Sequence, residues 1–170
     1  MLIFTDGSHS LKPRMSGFGA VLLYKNKEHT FGTYSNQCRD NNVAEIAAIA
    51  MAIQYICDNK IVDKMEDKTI TIISDSETAL RKISQRCEGK DDFEQSCLDY
   101  INEFLDYTHK KVTFMQIKGH IHDGTKLAYY NNIADNIAGD YRRLGLELQQ
   151  ERMKKKHKTK FNKFIKFGRE

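Results

Sequence analysis

The 170-residue sequence predicts an α/β chain built on a mixed five-stranded sheet, in the order β-β-β-α-β-α-α-β-α, with helices on both faces. Three observations predict it. Three strand-like runs follow one another near the N-terminus. A helical stretch that is apolar on nearly every side comes next. Two further β-type runs then alternate with amphipathic helical ones. Strands in hairpin succession pair antiparallel, and strands separated by helices pair parallel, so such a sheet is mixed and its crossovers cover both faces.

Taken in order, residues 2–6 form a short buried strand. Residues 18–24 and 29–35 form two more, joined by Lys25-Asn26-Lys27-Glu28, which is short and polar enough for a hairpin. Residues 42–57 form a helix with Asn41 and Asn42 as suitable caps. Glu45 is the only charge between Asn41 and Tyr55, so this helix is buried. Residues 69–74 make a β-branched strand, and Ser76 caps the helix after it, which runs to about Arg86. Residues 92–107 place Phe93, Cys97, Tyr100, Ile101, Phe104 and Leu105 at helical spacing. Residues 111–117 alternate as a strand, 118–128 are a polar loop, and a last helix spans Tyr129 to Leu148.

The chain is 40% hydrophobic and 29% charged, ordinary for one soluble domain with a sizeable core. Its formal charge of +4 is unevenly spread. Residues 151–170 hold nine Lys/Arg and two Glu, which leaves the remainder at −3. The expected division is a body over 1–148 and a basic tail over 149–170. Met153, His157, Phe161, Phe164 and Ile165 fall at helical spacing among lysines, the pattern of a basic amphipathic helix. Lys154, Lys155, Lys156, Lys158 and Lys160 are therefore candidate phosphate contacts. The four cysteines form no C-x-x-C pair, which argues against zinc. Met1 is followed almost at once by a strand, leaving no room for a signal peptide, and no apolar run approaches the ~20 residues that span a bilayer. The expectation is a cytoplasmic monomer with reduced thiols, no membrane association and no obligate protein partner.

Four carboxylates sit where a carboxylate is costly. Asp6 closes Leu2-Ile3-Phe4-Thr5, Glu45 lies in the apolar helix, Asp75 closes the β-branched run, and Asp135 lies in Ile133-Ala134-Asp135-Asn136-Ile137. An ionised carboxylate beside a core must be paired, protonated or bound to metal. Any one of them could be a cap or an ion-pair member. Four on four elements point to a shared cation, and hard oxygen ligands suit Mg²⁺ or Mn²⁺. Asp6 and Asp75, ending parallel neighbours, would emerge at one sheet edge, with Glu45 and Asp135 reaching it from helices. Four carboxylates suffice for two ions about 3.5–4 Å apart and in-line displacement at a phosphodiester.

Phe4-Thr5-Asp6-Gly7-Ser8, followed by Gly17-Phe18-Gly19-Ala20-Val21, resembles the opening of type 1 ribonuclease H. Asn41-Asn42-Val43-Ala44-Glu45 resembles the family's Asn-Asn-x-x-Glu helix start, and Ile73-Ser74-Asp75-Ser76 its third acidic strand end. Lys118-Gly119-His120, with Asn132-Ile133-Ala134-Asp135 downstream, is similar to its final loop and helix. The resemblance covers residues 1 to about 145 in order. It implies a ribonuclease H-like fold and endonucleolytic cleavage of RNA in RNA–DNA hybrids, leaving 5′-phosphate and 3′-hydroxyl ends. It further implies that Asp6 bridges two Mg²⁺ ions, that Glu45 and Asp75 complete one shell, and that Asp135 ligates the water-activating ion. Glu45 would also contact the 2′-hydroxyl beside the cut. His120 matches a loop histidine that assists proton movement or product release. Asn41 and Asn42 match contacts across the hybrid's minor groove, and Ser76 stands with them as a substrate-binding position.

The sequence departs from that family in places. The loop 9–16 lacks the usual Gly/Pro-rich character, Glu77 stands where many relatives carry a substrate-binding Gln, and there is no Trp- and Lys-rich protrusion between Asp75 and Gly119. Two patterns are decoys. Gly119-x₄-Gly124-Thr125-Lys126 has Thr and Lys transposed for a phosphate loop, and His120-x-His122 lies in a polar loop rather than on a ligand scaffold. Two alternatives stand beside hybrid cleavage: a non-catalytic binding module of this fold, and a DNA-acting nuclease of the same superfamily. The four acidic positions argue against the first, and the Asn-Asn-x-x-Glu segment and Gly-His loop against the second.

Overall fold

The structure, a computed structural model, describes residues 1–66, 68–118 and 124–167, with side chains described as far as Lys155. The elements are β1 (Leu2–Leu11), β2 (Arg14–Tyr24), β3 (Lys27–Ser35), α1 (Asn41–Asp58), β4 (Thr69–Ser74), α2 (Glu77–Ser84), α3 (Asp92–Tyr107), β5 (Lys111–Gln116) and α4 (Lys126–Phe167). The strand order is β3-β2-β1-β4-β5. The hairpin strands β1, β2 and β3 pair antiparallel. The strands reached through helices, β4 on β1 and β5 on β4, pair parallel. This is the mixed sheet and element order that the sequence predicts.

Strand periodicity sorts the side chains into two layers. Ile3, Ala20, Leu22, Ile70 and Ile72 face α1, α2 and α3, where Ile46, Ile49, Ile53, Ile83 and Leu98 complete the main core. Phe4, Val21 and Ile73 face the other way and meet Ala134, Ile133 and Ile137 of α4. Helix α1 is buried along most of its length, as its near-continuous apolar sequence requires.

Three expectations change. β1 does not end at Asp6. It continues to Leu11, paired with β2 as far as Leu11↔Arg14, so residues 9–16 are mostly a hairpin rather than a loop. Asp6 nevertheless stands at an edge, because the ladder from β1 to β4 stops at Phe4↔Ile73. The cap of α1 is Asp40, not Asn41 or Asn42: its Oδ1 accepts from the Val43 N–H at 3.0 Å. The last helix begins at Lys126, with the Thr125 hydroxyl accepting from the Ala128 N–H, and runs through the composition break near residue 150 without interruption. No described helix is long and apolar enough to cross a membrane.

Candidate active site

Three elements bring three carboxylates together. Asp6 comes from mid-β1, Glu45 from the second turn of α1, and Asp75 from the residue after β4. One oxygen from each lies within 4.8 Å of the others. Asp6 and Glu45 are buried, and Asp75 is half-buried.

Glycines make this convergence possible. A Cβ on Gly7 would overlap the backbone of Ala44 and Glu45, so α1 packs against β1 with no side chain between them. The Gly7 N–H donates to Glu45 Oε2 at 3.1 Å, and Asn41 Nδ2 donates to Oε1 at 3.4 Å. Both oxygens of Glu45 are thereby oriented. On the opposite face, α4 lies directly on β2 at Gly19, where a Cβ would overlap the Ala134 carbonyl. Gly19 is the register partner of Asp6, so Asp135, next to Ala134, is carried to the same region. Asp135 is half-buried and lies outside the tight trio, but its charge reaches Asp6.

The electrostatics are those of crowded, buried carboxylates. Burial, then the charges of Asp75 and Asp135, push the Asp6 carboxyl up to about 8. Burial, then Asp6 and Asp75, push Glu45 well above the usual carboxylate range, against the pull of the Gly7 and Asn41 donors. Among the described residues no lysine or arginine forms an ion pair with Asp6 or Glu45. Crowded hard-oxygen donors fit a divalent metal ion. Asp6, Glu45 and Asp75 could hold it, with Asp135 alongside.

The remaining candidates are placed as follows. Asn41 and Asn42 are exposed on the first turn of α1, where Asn41 contacts Glu45. Ser76 is half-buried, and its hydroxyl is used locally, accepting from the Ala79 N–H as the cap of α2. His120, and the side chains of Lys156, Lys158 and Lys160, lie outside the described residues. Lys154 and Lys155 are exposed on α4.

Sequence reasoning missed the support around the site. Arg39 Nη1 donates to Asp91 at 2.5 Å and Nη2 to Glu94 at 2.7 Å, while its Nε lies 3.1 Å from Asp40. The fully buried Glu94 also accepts from Lys82 Nζ at 2.5 Å. This network ties α2 and α3 to the residue that caps α1, and so fixes where Glu45 starts. Its only sequence signal is the pairing of caps, Asp40 and Asp91, each three residues before the N–H it accepts.

The family model for RNase H matches residues 1–143. The chain belongs to the ribonuclease H family. By that membership it is a ribonuclease H enzyme. Ribonuclease H of Acetivibrio thermocellus is 26% identical over 141 residues, covering 81% of this chain and 91% of that one. Ribonuclease H of Ehrlichia ruminantium is 34% identical over a shorter stretch of 68 residues, 39% of this chain and 45% of that protein. Among solved structures, the ribonuclease H1 called LC11, in complex with an RNA/DNA hybrid, shares the fold with a TM-score of 0.67 at 21% identity, covering 85% of this chain and 98% of that one. Ribonuclease H1 of Halobacterium salinarum does so with a TM-score of 0.61 at 17% identity, covering 82% and 95%. Of the four carboxylates singled out in the sequence, the fold brings Asp6, Glu45 and Asp75 together, and the charge of Asp135 reaches Asp6.

Proposed function

We propose that this ribonuclease H cleaves the RNA strand of RNA–DNA hybrids by metal-assisted hydrolysis. The observation that carries the reading is the convergence of Asp6, Glu45 and Asp75 within 4.8 Å, from three separate elements. Two Mg²⁺ ions, replaceable by Mn²⁺, would supply a nucleophilic water and neutralise charge on the leaving oxygen when bound there. Asp6, Glu45, Asp75 and Asp135 would hold them, and Asp6 is the carboxylate on which the charges of both Asp75 and Asp135 act. Glu45 is held rigidly through both oxygens, which suits a residue that must also meet the 2′-hydroxyl beside the cut. Asn42, and Asn41 through whatever donor capacity its bond to Glu45 leaves, line the rim where a minor groove would lie. Ser76 offers its hydroxyl beside Asp75. His120, which follows Gly119 in the sequence and matches the family's assisting histidine, serves proton movement or product release.

The balanced step is hydrolysis. A water oxygen bonds to phosphorus, the bond from phosphorus to the 3′-oxygen breaks, and that oxygen takes up a proton. The products are a 5′-phosphate and a 3′-hydroxyl. The test is a gel comparing end-labelled RNA–DNA hybrid, duplex RNA, duplex DNA and single strands in Mg²⁺, Mn²⁺ and EDTA. Cleavage confined to the RNA of the hybrid, abolished by EDTA, and leaving ends that accept ligation after pairing with a 5′-phosphate, is expected. Cleavage of duplex DNA, or of nothing, overturns the reading.

A further inference from the structure

We propose that the tip of the β1–β2 hairpin and the C-terminal stretch of α4 form one basic arm, which binds the sugar–phosphate backbone of the hybrid at a distance from the cut. The inference rests on the hybrid-nuclease reading above and adds a second binding surface to it.

The arm is anchored at the active site. α4 lies on β2 at Gly19 beside Ala134, then at Gly17 beside Ala138 and Arg142. Arg142 Nη1 donates to the His9 carbonyl at 3.3 Å. Further along, Gly145 packs on Met15, and Pro13 shares an apolar pocket with Gln149 and Met153. The helix therefore tracks the hairpin from the register of Asp6 out to its tip. There the sheet ends, at Leu11↔Arg14, yet the helix continues to Phe167.

The charge of this surface is basic. Lys12, Arg14, Arg152, Lys154 and Lys155 are exposed on it. Among the described residues, Lys12, Arg14, Arg152 and Lys154 form no ion pair. Residues 151–170 carry +7 against −3 for the remainder. A polyanion is drawn to this charge rather than to the net-negative remainder.

Geometry gives the arm a length requirement. Lys12 is six strand residues from Asp6, about 20 Å along an extended strand. That is about six phosphates at the spacing of a nucleic-acid strand. Beyond Met153, α4 adds about 21 Å more. A hybrid of about six base pairs centred on the carboxylate site extends only about 10 Å to either side and stops short of the arm, whereas a long one reaches it.

The test uses the full chain with Lys12→Glu, Arg14→Glu, Arg152→Glu and Lys154→Glu together, beside a set with Gln at the same four positions. Affinity is measured across a salt series in Ca²⁺, on loop-closed hybrids of about 6 and about 24 base pairs. For the long hybrid, the Glu set should lose about tenfold or more in affinity at low salt, and its log–log salt slope should fall by about 3, at roughly 0.7–0.9 per contact. The Gln set should lose less, and neither set should shift short-hybrid affinity by more than about twofold. Far-UV circular dichroism and melting confirm folding, and either set suffices if the other fails to fold. Equal slopes on the long hybrid, or equal losses on both hybrids, overturn the arm. So does co-sedimentation with phosphatidylserine vesicles that the substitutions abolish while hybrid affinity stays unchanged, which would make the arm a membrane contact. Cleavage of both hybrids by the unaltered chain in Mg²⁺ keeps the nuclease reading in place whichever way the arm falls. Cleavage of neither fails that reading separately.

Discussion

The Gly7 amide donates to Glu45 Oε2 at 3.1 Å, joining β1 to α1 across 38 residues beside Asp6. A glycine is needed there because any Cβ would overlap the backbone of α1. Gly7→Ala should therefore push α1 away from the sheet and carry Glu45 with it. Overpacking of this kind costs about 1–3 kcal/mol. Urea unfolding should show the loss of stability, and Mn²⁺ titration should show weaker binding. Unchanged values for both would mean that α1 shifts without cost.

Asp75→Asn should abolish cleavage of hybrid in Mg²⁺ and leave the fold intact. It removes a charged oxygen ligand at nearly constant volume. In EDTA the variant should melt at or above the temperature of the unaltered chain, because Asp75 raises the cost of ionising both Asp6 and Glu45. Near-normal cleavage by this variant would remove the metal-assisted reading.

Stability of the metal-free protein should fall as pH rises. The Asp6 carboxyl lies at about 8 when folded, against an ordinary value of 3.8. Between those two values the unfolded chain has released a proton that the folded chain still holds, so raising pH favours unfolding. The contribution is complete below the ordinary value and is lost as pH passes through the folded one. Melting in EDTA at acidic, neutral and mildly basic pH should show the decline, Asp6→Asn should flatten it, and Mg²⁺ should restore stability most on the basic side. A profile identical in Asp6→Asn would assign the effect to other groups.

Glu94→Gln should destabilise the protein by about 3 kcal/mol, because it leaves Arg39 and Lys82 without the buried charge they share. Since Arg39 also contacts Asp40, the cap of α1, the variant should weaken Mn²⁺ binding although Glu94 is not a ligand. Destabilisation with unaltered Mn²⁺ affinity would show that the network supports the fold and not the site.

His120→Ala should slow turnover without abolishing it, within the 10²–10⁴-fold range typical of acid–base assistance. If the histidine serves product release, steady-state rate falls and single-turnover rate is spared. Complete loss in both would give it a larger part than an assisting one.

Several features are legible in the sequence for physical reasons. A β-branched run marks β4 over Thr69–Ser74, and apolar positions repeating at 3.6 residues mark α3 over Asp92–Tyr107. The four carboxylates stand out because charge beside apolar runs is costly wherever the chain goes. The continuation of β1 past Asp6 was not legible, since it depends on pairing with β2 rather than on the residues of 7–11. Nor was the cap: Asp40, Asn41 and Asn42 all suit the position, and the approach of Arg39 to Asp91 and Glu94 decides among them. Which carboxylates meet was settled only in three dimensions. Gly7 lets α1 reach β1 and Gly19 lets α4 reach β2, and each contact joins residues far apart in the chain. The sequence by itself determined the elements and the unusual charges, because those follow from local spacing and burial cost. Tertiary structure alone decided how closely the expected carboxylates meet, with Asp6, Glu45 and Asp75 within 4.8 Å and Asp135 outside that trio, because backbone approach between distant elements is a property of packing and leaves no periodic trace.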